Sequence, residues 1–426
     1  MKWWFGVTLW KRVLGALVLG VAFGLLMTQM MGQEAAAAWL EAYAQPVGDL
    51  FIRLIRMMVV PLIFTTLVAG VVAMREPARL GSLGAKTIIL YLVTTFFANL
   101  IGLFFGTIMR PGEGAFETVS AADAVPTSTE APSIVERLMG IVPDNPVAAL
   151  ADADVLAIIF FAILLGVGIL MAREKGEMLG KFFDSASDVV LKVTHIVMEV
   201  APFGVFALIA YTTAAYGLQA FASIGWLILA VYLGLLTHMI LIYGGLIRLV
   251  LGLPLVRFFR GITDAQAVAF STSSSSATLP VTITNVTENL GVKRSVSGSV
   301  LPLGATINMD GTALYLGILA LFTAQAFGYE LTALNYLLIA LTAAIVSIGA
   351  AGIPSASLFL LAIVLDTFGV TPEHTALIVG FILPVDRVMD MARTVVNVTG
   401  DAAVAVTVAK WEGELDEETF RAPATV

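Results

Sequence analysis

Long apolar runs occupy most of the chain, and short stretches with charged residues separate them. A run of about 18 or more apolar residues is long enough to cross the hydrocarbon core of a bilayer as a helix. We predict eight such membrane spans, at residues 13–31, 47–73, 87–109, 153–172, 187–215, 222–250, 296–327 and 374–409. The pattern therefore predicts an all-α integral membrane protein.

Two further apolar segments, 256–290 and 333–368, are interrupted by residues that break helices. Ser271 to Ser276 interrupt the first segment, and a stretch with glycine and proline at 349–354 interrupts the second. Non-helical backbone is tolerated at membrane depth only where protein buries it or where it lines a cavity. We therefore predict that both segments are re-entrant helical hairpins.

The distribution of lysine and arginine predicts the orientation of the spans, since these residues accumulate in cytoplasmic loops. It places both termini in the cytoplasm, and it lets the first hairpin enter from the cytoplasm and the second from outside. The residues that decide this are Lys11, Arg12, Arg75, Arg79, Lys86, Arg173, Lys175, Lys181, Arg257, Arg260, Lys293, Arg294 and Lys410. Oppositely oriented repeats with broken helices are typical of secondary transporters, whose binding site lies between the repeats.

Composition narrows the class of protein further: 59% of the 426 residues are hydrophobic and 13% are charged. The chain has no cysteine, which excludes disulfides and thiolate metal sites, and its net charge of −8 argues against nucleic acid as a partner. Three dispersed histidines, without a hydrolase or phosphate-binding motif, predict that it is not an enzyme. A signal peptide is the alternative interpretation of residues 1–31, because Lys2, Lys11 and Arg12 precede the first run.

The last apolar run carries a polar stripe that a lipid-facing helix would not have. Ionisable residues inside a span are costly, so they normally face a cavity or a partner. A network of salt bridges that only holds helices together is the alternative. The residues of the stripe recur every three or four positions, on one face of a helix: Asp386, Asp390, Arg393, Thr394, Asn397 and Asp401.

The preceding run contains the sequence Asn308-Met309-Asp310-Gly311-Thr312. Side-chain oxygens of Asn308 and Asp310, with carbonyls freed by a helix break at Gly311, form the oxygen-rich ligand set that hard cations prefer. A helix kink with polar contacts between spans is the alternative. That alternative leaves Asp310 as a buried carboxylate that still needs a counter-charge.

The tips of the two predicted hairpins differ in chemistry. In a soluble protein, Ser273 to Ser276 would indicate a flexible linker, but at membrane depth their polar groups need a ligand, water or protein. The second tip, from Gly349 to Pro354, has no polar side chain, so it offers only backbone groups to a substrate or ion.

Together these motifs resemble the glutamate transporter family, the dicarboxylate/amino-acid:cation symporters. The similarity runs from residue 10 to residue 412 and includes S-S-S-S-A-T-L-P, N-M-D-G-T, A-A-G-I-P and D-x-x-x-D-x-x-R-T-x-x-N-x-x-G-D, in this order. It implies eight transmembrane helices and two oppositely oriented re-entrant hairpins in inverted repeats. It also implies a homotrimer in the cell inner (plasma) membrane.

The resemblance further implies an elevator mechanism, in which a transport domain moves against a trimerisation scaffold. Residues 1–86 would form scaffold helices 1–2, 87–110 transport-domain helix 3, and 111–221 scaffold helices 4–5 with an external loop. Residues 222–412 would complete the transport domain with helix 6, hairpin 1, helix 7, hairpin 2 and helix 8. Residues 413–426 would be an acidic cytoplasmic tail.

The expected substrate is an acidic amino acid. By resemblance, Arg393 binds its side-chain carboxylate and Asp390 binds its α-amino group. A planar guanidinium suits a carboxylate and a carboxylate suits an ammonium, so the chemistry of the two residues agrees with this assignment. The resemblance adds four further substrate contacts, Ser275, Thr312, Gly352 and Asn397.

Sodium ions are the coupling ions that the resemblance implies, and no other cofactor is expected. Their ligands would be side-chain oxygens and backbone carbonyls in three sites. These sites comprise, first, Asp401 and Asn308 with carbonyls of Gly304 and Asn397; second, Asp310 with Asn308, Tyr91, Thr94 and Thr95; and third, carbonyls of Thr306, Ser347, Ile348 and Ala350, with Met309 nearby.

Three positions depart from the family's pattern. Ser273 and Met391 stand where many archaeal and animal members have an extra arginine, and Leu316 stands where potassium-coupled animal members have a glutamate. Because Leu316 replaces that glutamate residue, we predict that sodium is the coupling ion. The predicted function is therefore sodium-coupled import of the amino acids aspartate or glutamate. The alternatives are a proton-coupled glutamate carrier, a C4-dicarboxylate carrier and, from other classes, an anion channel or a membrane receptor.

Overall fold

The computed structural model describes residues 7, 9–73, 77–116, 142–152, 155–348 and 356–422. Within these residues the regular structure is helical, and extended pairing is limited to one bridge between Val292 and Leu415. This confirms the all-α class that the apolar runs predict.

The first half of the chain forms helices that are mostly longer than four turns. In order they are α1 (Leu9–Met31), α2 (Gln33–Tyr43), α3 (Gln45–Ala73), α4 (Pro77–Met109), α5 (Pro146–Ala151), α6 (Val155–Met171), α7 (Glu177–Met198), α8 (Ala201–Tyr216) and α9 (Gln219–His238). Two π-helical turns, Met239–Tyr243 and Leu246–Val250, extend α9.

The second half alternates short helices with long ones. They are α10 (Leu255–Gly261), α11 (Thr263–Thr272), α12 (Ser275–Thr284), α13 (Arg294–Ile307), α14 (Asp310–Phe327), α15 (Ala333–Ile348), α16 (Ala356–Asp366), α17 (Pro372–Glu412) and α18 (Glu417–Arg421). A further π-helical turn, Asn285–Asn289, follows α12.

Several helices suit an integral membrane protein. Among the described residues, four stretches are long and apolar enough to cross a bilayer: Lys11–Met31, Leu83–Met109, Phe221–Val250 and Arg294–Phe327. The consecutive helices α7 and α8, which bend by 47°, add a fifth candidate if they count as one span. The eight predicted spans and the re-entrant course of the hairpins stay predictions.

The helices form two packed groups. In one, α1 lies against α8, and α3 contacts α6, α7 and α8. In the other, α14 lies against α4, while α17 contacts α11, α13 and α14; α8 and α17 meet between the groups. In the most apolar window of each stretch, only 22% of Lys11–Met31 is buried but 94% of Arg294–Phe327 is. Helices α13 and α14 therefore form the centre of the protein, while α1 leaves most of its apolar surface uncovered.

Small residues let α1 approach α8 closely. A Cβ atom on Gly24 would lie 2.6 Å from the carbonyl oxygen of Ala210 and 2.7 Å from the Cβ of Thr213. Gly20, one turn earlier, would place a Cβ 2.9 Å from the carbonyl oxygen of Phe206. Glycine at such crossings is typical of helix packing in membranes, where close backbone contact replaces the hydrophobic effect.

Helices α11 and α12 pack against each other and are joined by Ser273 and Ser274 alone. Ser273 adopts a left-handed conformation with φ of 52°, which turns the chain back. Ser274 then caps α12, because its Oγ accepts a hydrogen bond from the amide of Ala277 at 3.2 Å. The serine run therefore forms a tight helical hairpin rather than a linker.

The break in the penultimate run lies earlier than the sequence suggests. Asn308 and Met309 are non-helical, with ψ of 83° and 47°, whereas Gly311 lies inside α14. The expectation of a break at Gly311 is thus wrong. Gly311 is required for close packing instead, since a Cβ there would lie 2.6 Å from the carbonyl oxygen of Arg393.

The acidic tail folds back onto the connection between α12 and α13. The amide of Asp416 donates a hydrogen bond to the carbonyl oxygen of Gly291 at 2.8 Å, and Lys293 forms a 2.7 Å salt bridge with Glu414. Phe420 of α18 is fully buried. The segment from 413 to 422 is therefore a docked element of the fold.

Candidate functional site

The N-terminal part of the α17 stripe forms what we call the arginine cluster: Arg393, Asp386, Asp390 and Tyr315. Arg393 Nη2 donates to Asp390 Oδ1 at 2.7 Å and to Asp386 Oδ1 at 3.1 Å. Tyr315 of α14 donates its hydroxyl to the same Asp386 oxygen at 2.7 Å. Its ring lies under the guanidinium, with Arg393 Cζ 3.8 Å from the ring centroid, a cation–π distance.

Arg393 is buried but not saturated. It is 1% exposed, and within the described structure its Nε and Nη1 have no hydrogen-bond partner. A buried donor without a partner is costly, and a guanidinium presents its donors in a fork that matches a carboxylate. The cluster can therefore accept a further carboxylate, while Asp390 lies alongside as an acceptor for an ammonium group.

A second group of polar side chains lies where α13 ends and α14 begins, and we call it the carboxylate–amide cluster. It consists of Asp310, Asp401, Asn308, Asn397, Thr95, Tyr91, Tyr243 and His238, all of which are buried. Tyr91 donates to the carbonyl oxygen of Val300 at 3.1 Å.

Asp310 accepts two hydrogen bonds from side chains of other helical segments and lies beside a histidine. Thr95 Oγ1 of α4 donates to Asp310 Oδ1 at 2.6 Å, and the Tyr243 hydroxyl donates to Oδ2 at 2.7 Å. His238 Nε2 at the end of α9 lies 3.1 Å from the same Oδ2. These contacts fix the orientation of the carboxylate in the protein interior.

Asp401 and the two asparagines form the other half of this cluster. Asn308 Nδ2 donates both to Asp401 Oδ1 and to the carbonyl oxygen of Asn397, each at 2.9 Å. Asn397 Oδ1 accepts from the amide of Gly311 at 2.8 Å, and its Nδ2 lies 3.2 Å from Met309 Sδ. In the described residues Asn308 Oδ1 is buried without a donor, so an oxygen ligand is available at the helix break.

The carboxylate–amide cluster lacks a permanent cation. Within the described part of the chain, no lysine or arginine lies within salt-bridge distance of Asp310 or Asp401. The ionisable side chain next to Asp310 is His238, which carries a charge only when it is protonated. Buried carboxylates with only neutral partners need a counter-charge or a proton. Carboxylate, amide and carbonyl oxygens are also the ligands of hard cations.

The structure brings together most of the predicted site residues. Ser275, the first residue of α12, and Thr312 of α14 are buried, and Gly304 faces both Asp401 and the Tyr91 hydroxyl. Gly352 and Ala350 lie outside the described residues. For the remaining members of the predicted ion sites, the hydroxyls bond within their own helices: Thr94 to Tyr91, Thr306 to Leu303 and Ser347 to Ala344, with Ile348 the last residue of α15.

The sequence patterns missed three contributors: Tyr315 as a partner of Arg393, and His238 and Tyr243 as partners of Asp310. Asp386 belonged to the predicted stripe but was not assigned to the site. In a regular α-helix, residues five apart point in different directions because one turn takes 3.6 residues. The π-helical turn after His238 brings the rings of His238 and Tyr243 to 4.7 Å between centroids. Local sequence gave no sign of this turn, although π-turns often occur at functional sites.

Comparison with known proteins bears on the same residues. The model of the sodium:dicarboxylate symporter family matches residues 9–411. The chain belongs to this family. The resemblance that the motifs suggest is thereby confirmed, and both polar clusters lie inside the matched range.

Proteins that are similar to nearly the whole of this chain are named as transporters. A proton/sodium-glutamate symport protein of Bacillus subtilis (strain 168) is 38% identical over 408 residues, which cover 94% of this chain and 92% of that protein. A proton/glutamate-aspartate symporter of Escherichia coli (strain K12) is 36% identical, with coverage of 96% and 93%. A C4-dicarboxylate transport protein of Azorhizobium caulinodans is 33% identical, with coverage of 97% and 91%.

Proposed function

We propose that this chain is a secondary active symporter that imports aspartate or glutamate together with sodium. The observation that carries the proposal is the buried guanidinium of Arg393, whose Nε and Nη1 have no hydrogen-bond partner among the described residues and which has the carboxylate of Asp390 beside it. An acidic amino acid is the small molecule whose groups complement both residues at once.

The choice of substrate rests on Asp390. A C4-dicarboxylate would place a second carboxylate where Asp390 already carries negative charge, and like charges at close range repel. An amino acid places its ammonium there instead. The glutamate symporters among the relatives support this choice, and the C4-dicarboxylate carriers among them make succinate and malate the competitors to test.

Sodium coupling rests on the carboxylate–amide cluster. Among the described residues, Asn308 Oδ1 has no donor and neither Asp310 nor Asp401 has a lysine or arginine partner. Sodium ligated by Asp310, Asp401 and this oxygen would supply a positive charge to the buried region. The names of two relatives include protons, so the rival is a carrier in which an aspartate binds a proton instead. Leu316 replaces the glutamate of the potassium-coupled members and is fully buried in α14.

An elevator mechanism is the movement that the two helix groups support. The group around α17 contains both polar clusters, while the group of α1, α3 and α6–α8 contains neither. We propose that the first group moves against the second and that the second group builds a homotrimer. Cross-linking in mild detergent that stops at dimers would contradict the trimer.

Uptake into proteoliposomes tests the proposal, with sodium, proton and potassium gradients imposed one at a time. We expect accumulation of labelled aspartate or glutamate that requires an inward sodium gradient. Excess unlabelled succinate should compete weakly. Uptake that ignores sodium but follows an inward proton gradient would overturn the coupling, and preferred transport of succinate would overturn the substrate. Flux without accumulation would indicate a channel.

A further inference from the structure

The C-terminus of α11 has a charged partner that none of the predicted sites includes. Helix α11 ends at Thr272, so the carbonyl groups of its last turn lack amide partners within the helix. Arg387 Nη2 of α17 donates to the carbonyl oxygens of Ser271 at 3.3 Å and Thr272 at 3.4 Å. A cation at this position also opposes the negative end of the helix dipole.

The position of Arg387 on α17 links this contact to the arginine cluster. Arg387 lies one helical turn before Asp390, so it is a neighbour of the arginine cluster on the same helix. The carbonyls that it binds directly precede Ser273 and Ser274, the two residues of the hairpin turn. One side chain therefore connects the tip of the α11–α12 hairpin to the part of α17 that carries Asp390 and Arg393.

A second hydrogen bond joins the same two helices at the other end of their contact. Gln266 Nε2 of α11 donates to Thr399 Oγ1 of α17 at 3.0 Å. Asn285 Oδ1, just after α12, accepts from the amide of Ala265 at 3.0 Å and holds the arms of the hairpin together. The base of the hairpin is thus fixed by neutral contacts, and the tip is held by a cation.

We propose that Arg387 is a positioning residue that holds the tip of the α11–α12 hairpin, which includes the predicted substrate contact Ser275, against the helix that carries the arginine cluster. Both of its hydrogen bonds are long and come from one nitrogen of a half-buried side chain. Such a contact can open and close again without unfolding either helix, unlike the base of the hairpin. The proposal extends the transport function proposed above to the control of one wall of its site.

The test uses the fact that the chain has no cysteine. Ser273→Cys places a single thiol at a buried position in the hairpin turn, where opening of the tip exposes it to the reagent. The rate of maleimide labelling is measured on purified protein in detergent, where both faces are accessible. The comparison is between the Ser273→Cys parent and the same protein with Arg387→Gln or with Arg387→Met, which keeps an aliphatic stem.

We expect both Arg387 variants to be labelled at least threefold faster than the parent, with Arg387→Lys in between because it keeps the charge but loses the planar fork. In transport, the KM for the substrate should rise severalfold with little change in the maximal rate. The control Lys192→Gln removes an exposed charge from α7 and should leave the labelling rate unchanged. Equal labelling of the parent and either folded Arg387 variant would overturn the proposal, as would the same increase in the control.

Labelling needs neither substrate nor an ion gradient. A failure of sodium or glutamate dependence in the uptake assay would therefore leave this result intact. Conversely, unchanged labelling would refute the role of Arg387 while sodium-driven glutamate uptake could still stand.

Discussion

Two pairs of buried carboxylates lie within the same helix group, and they differ in whether an arginine of the protein is paired with them. Asp386 and Asp390 share Arg393, so the arginine cluster contains its own cation. Asp310 and Asp401 are surrounded by hydroxyl, amide and imidazole groups, without a lysine or arginine at salt-bridge distance in the described residues. The first cluster can exchange one carboxylate for another, whereas the second must obtain a cation or a proton from solution.

The two clusters are also mechanically joined. Asn397 lies on α17 one turn after Arg393 and accepts a hydrogen bond from Gly311, which packs against the Arg393 backbone. The Asn397 carbonyl accepts from Asn308, the same amide that binds Asp401. In the proposed mechanism, a cation that orders Asn308 and Asp401 would also order the helix that carries Arg393. If the cation raises substrate affinity in this way, linkage requires the substrate to raise cation affinity by the same factor.

Removal of the cation from the arginine cluster should have the largest effect. We expect Arg393→Ala to abolish binding of aspartate and glutamate, because Asp386 and Asp390 then lie buried without a counter-charge. Loss of one partner of a desolvated pair costs about 2–5 kcal/mol, or at least about thirtyfold in affinity. Calorimetric titration of the purified protein measures it, with Arg421→Ala in the tail as the control. Unchanged affinity for both amino acids would refute the role of Arg393.

A substitution at Asp401 tests the role of charge in the carboxylate–amide cluster. Asp401→Asn keeps the shape and the contact with Asn308 but removes the charge that a cation would neutralise. We expect substrate affinity to lose most of its dependence on sodium, by a factor in the range of about 5 to 150 that is typical of coupled sites. Substrate affinity across a sodium titration, at fixed pH and ionic strength, measures this change.

The control for that titration is Asp188→Asn, which removes an exposed carboxylate from α7. It should keep the sodium dependence of the parent. If the parent itself shows no sodium dependence but releases substrate when the pH is raised, the cluster binds a proton and the sodium assignment is wrong.

A smaller change can separate the two clusters without removing any charge. A Cβ on Gly304 would collide with Asp401 Oδ1 and with the Tyr91 hydroxyl, whereas a Cβ on Gly298 of the same helix meets no atom within 4 Å. We expect Gly304→Ala to weaken sodium binding about tenfold, since α13 must shift, and substrate affinity to recover at saturating sodium. Gly298→Ala should behave as the parent. A loss of substrate affinity in Gly304→Ala that saturating sodium does not restore would show that the clusters are not separable in this way.

Much of the architecture could be predicted from periodicity and from residues that break helices. The serine run and the N-M-D-G-T sequence marked a hairpin turn and a helix break, and both are present, although the break lies at Asn308 and Met309. The polar stripe on α17 predicted Asp390, Arg393, Asn397 and Asp401 as neighbours because helix spacing alone places them on one face.

The partners contributed by other helices could not be predicted in the same way. Tyr315 reaches Asp386 through packing between helices that are far apart in sequence. Thr95 reaches Asp310 in the same way, and only the family resemblance placed these two residues in one site. Tyr243 reaches Asp310 because of a π-helical turn, which depends on tertiary contacts. The contact of Arg387 with the end of α11 likewise depends on the packing of α17 against that helix.

A salt bridge at the protein surface is a third kind of charged contact, and its removal should have the smallest effect of the changes compared here. Glu417 of the docked tail lies 2.9 Å from Lys410 Nζ, and this hydrogen bond lowers the pKa of Glu417 below its ordinary value of 4.5. Because the folded-state pKa is lowered, the contribution of Glu417 to stability is present above pH 4.5 and is lost as the pH falls through the lowered value.

Exposed ion pairs contribute little, so Glu417→Gln should lower the melting temperature at pH 7 by at most about 2 °C. The difference between variant and parent should shrink as the pH falls below the lowered pKa of Glu417, because the side chain is then protonated in both folded and unfolded chains. Glu418→Gln, which alters the exposed neighbouring acid, should show no such pH-dependent difference. A deficit for Glu417→Gln that is equally large at pH 7 and below that lowered pKa would mean that the side chain acts through packing, and that the contact with Lys410 does not stabilise the docked tail.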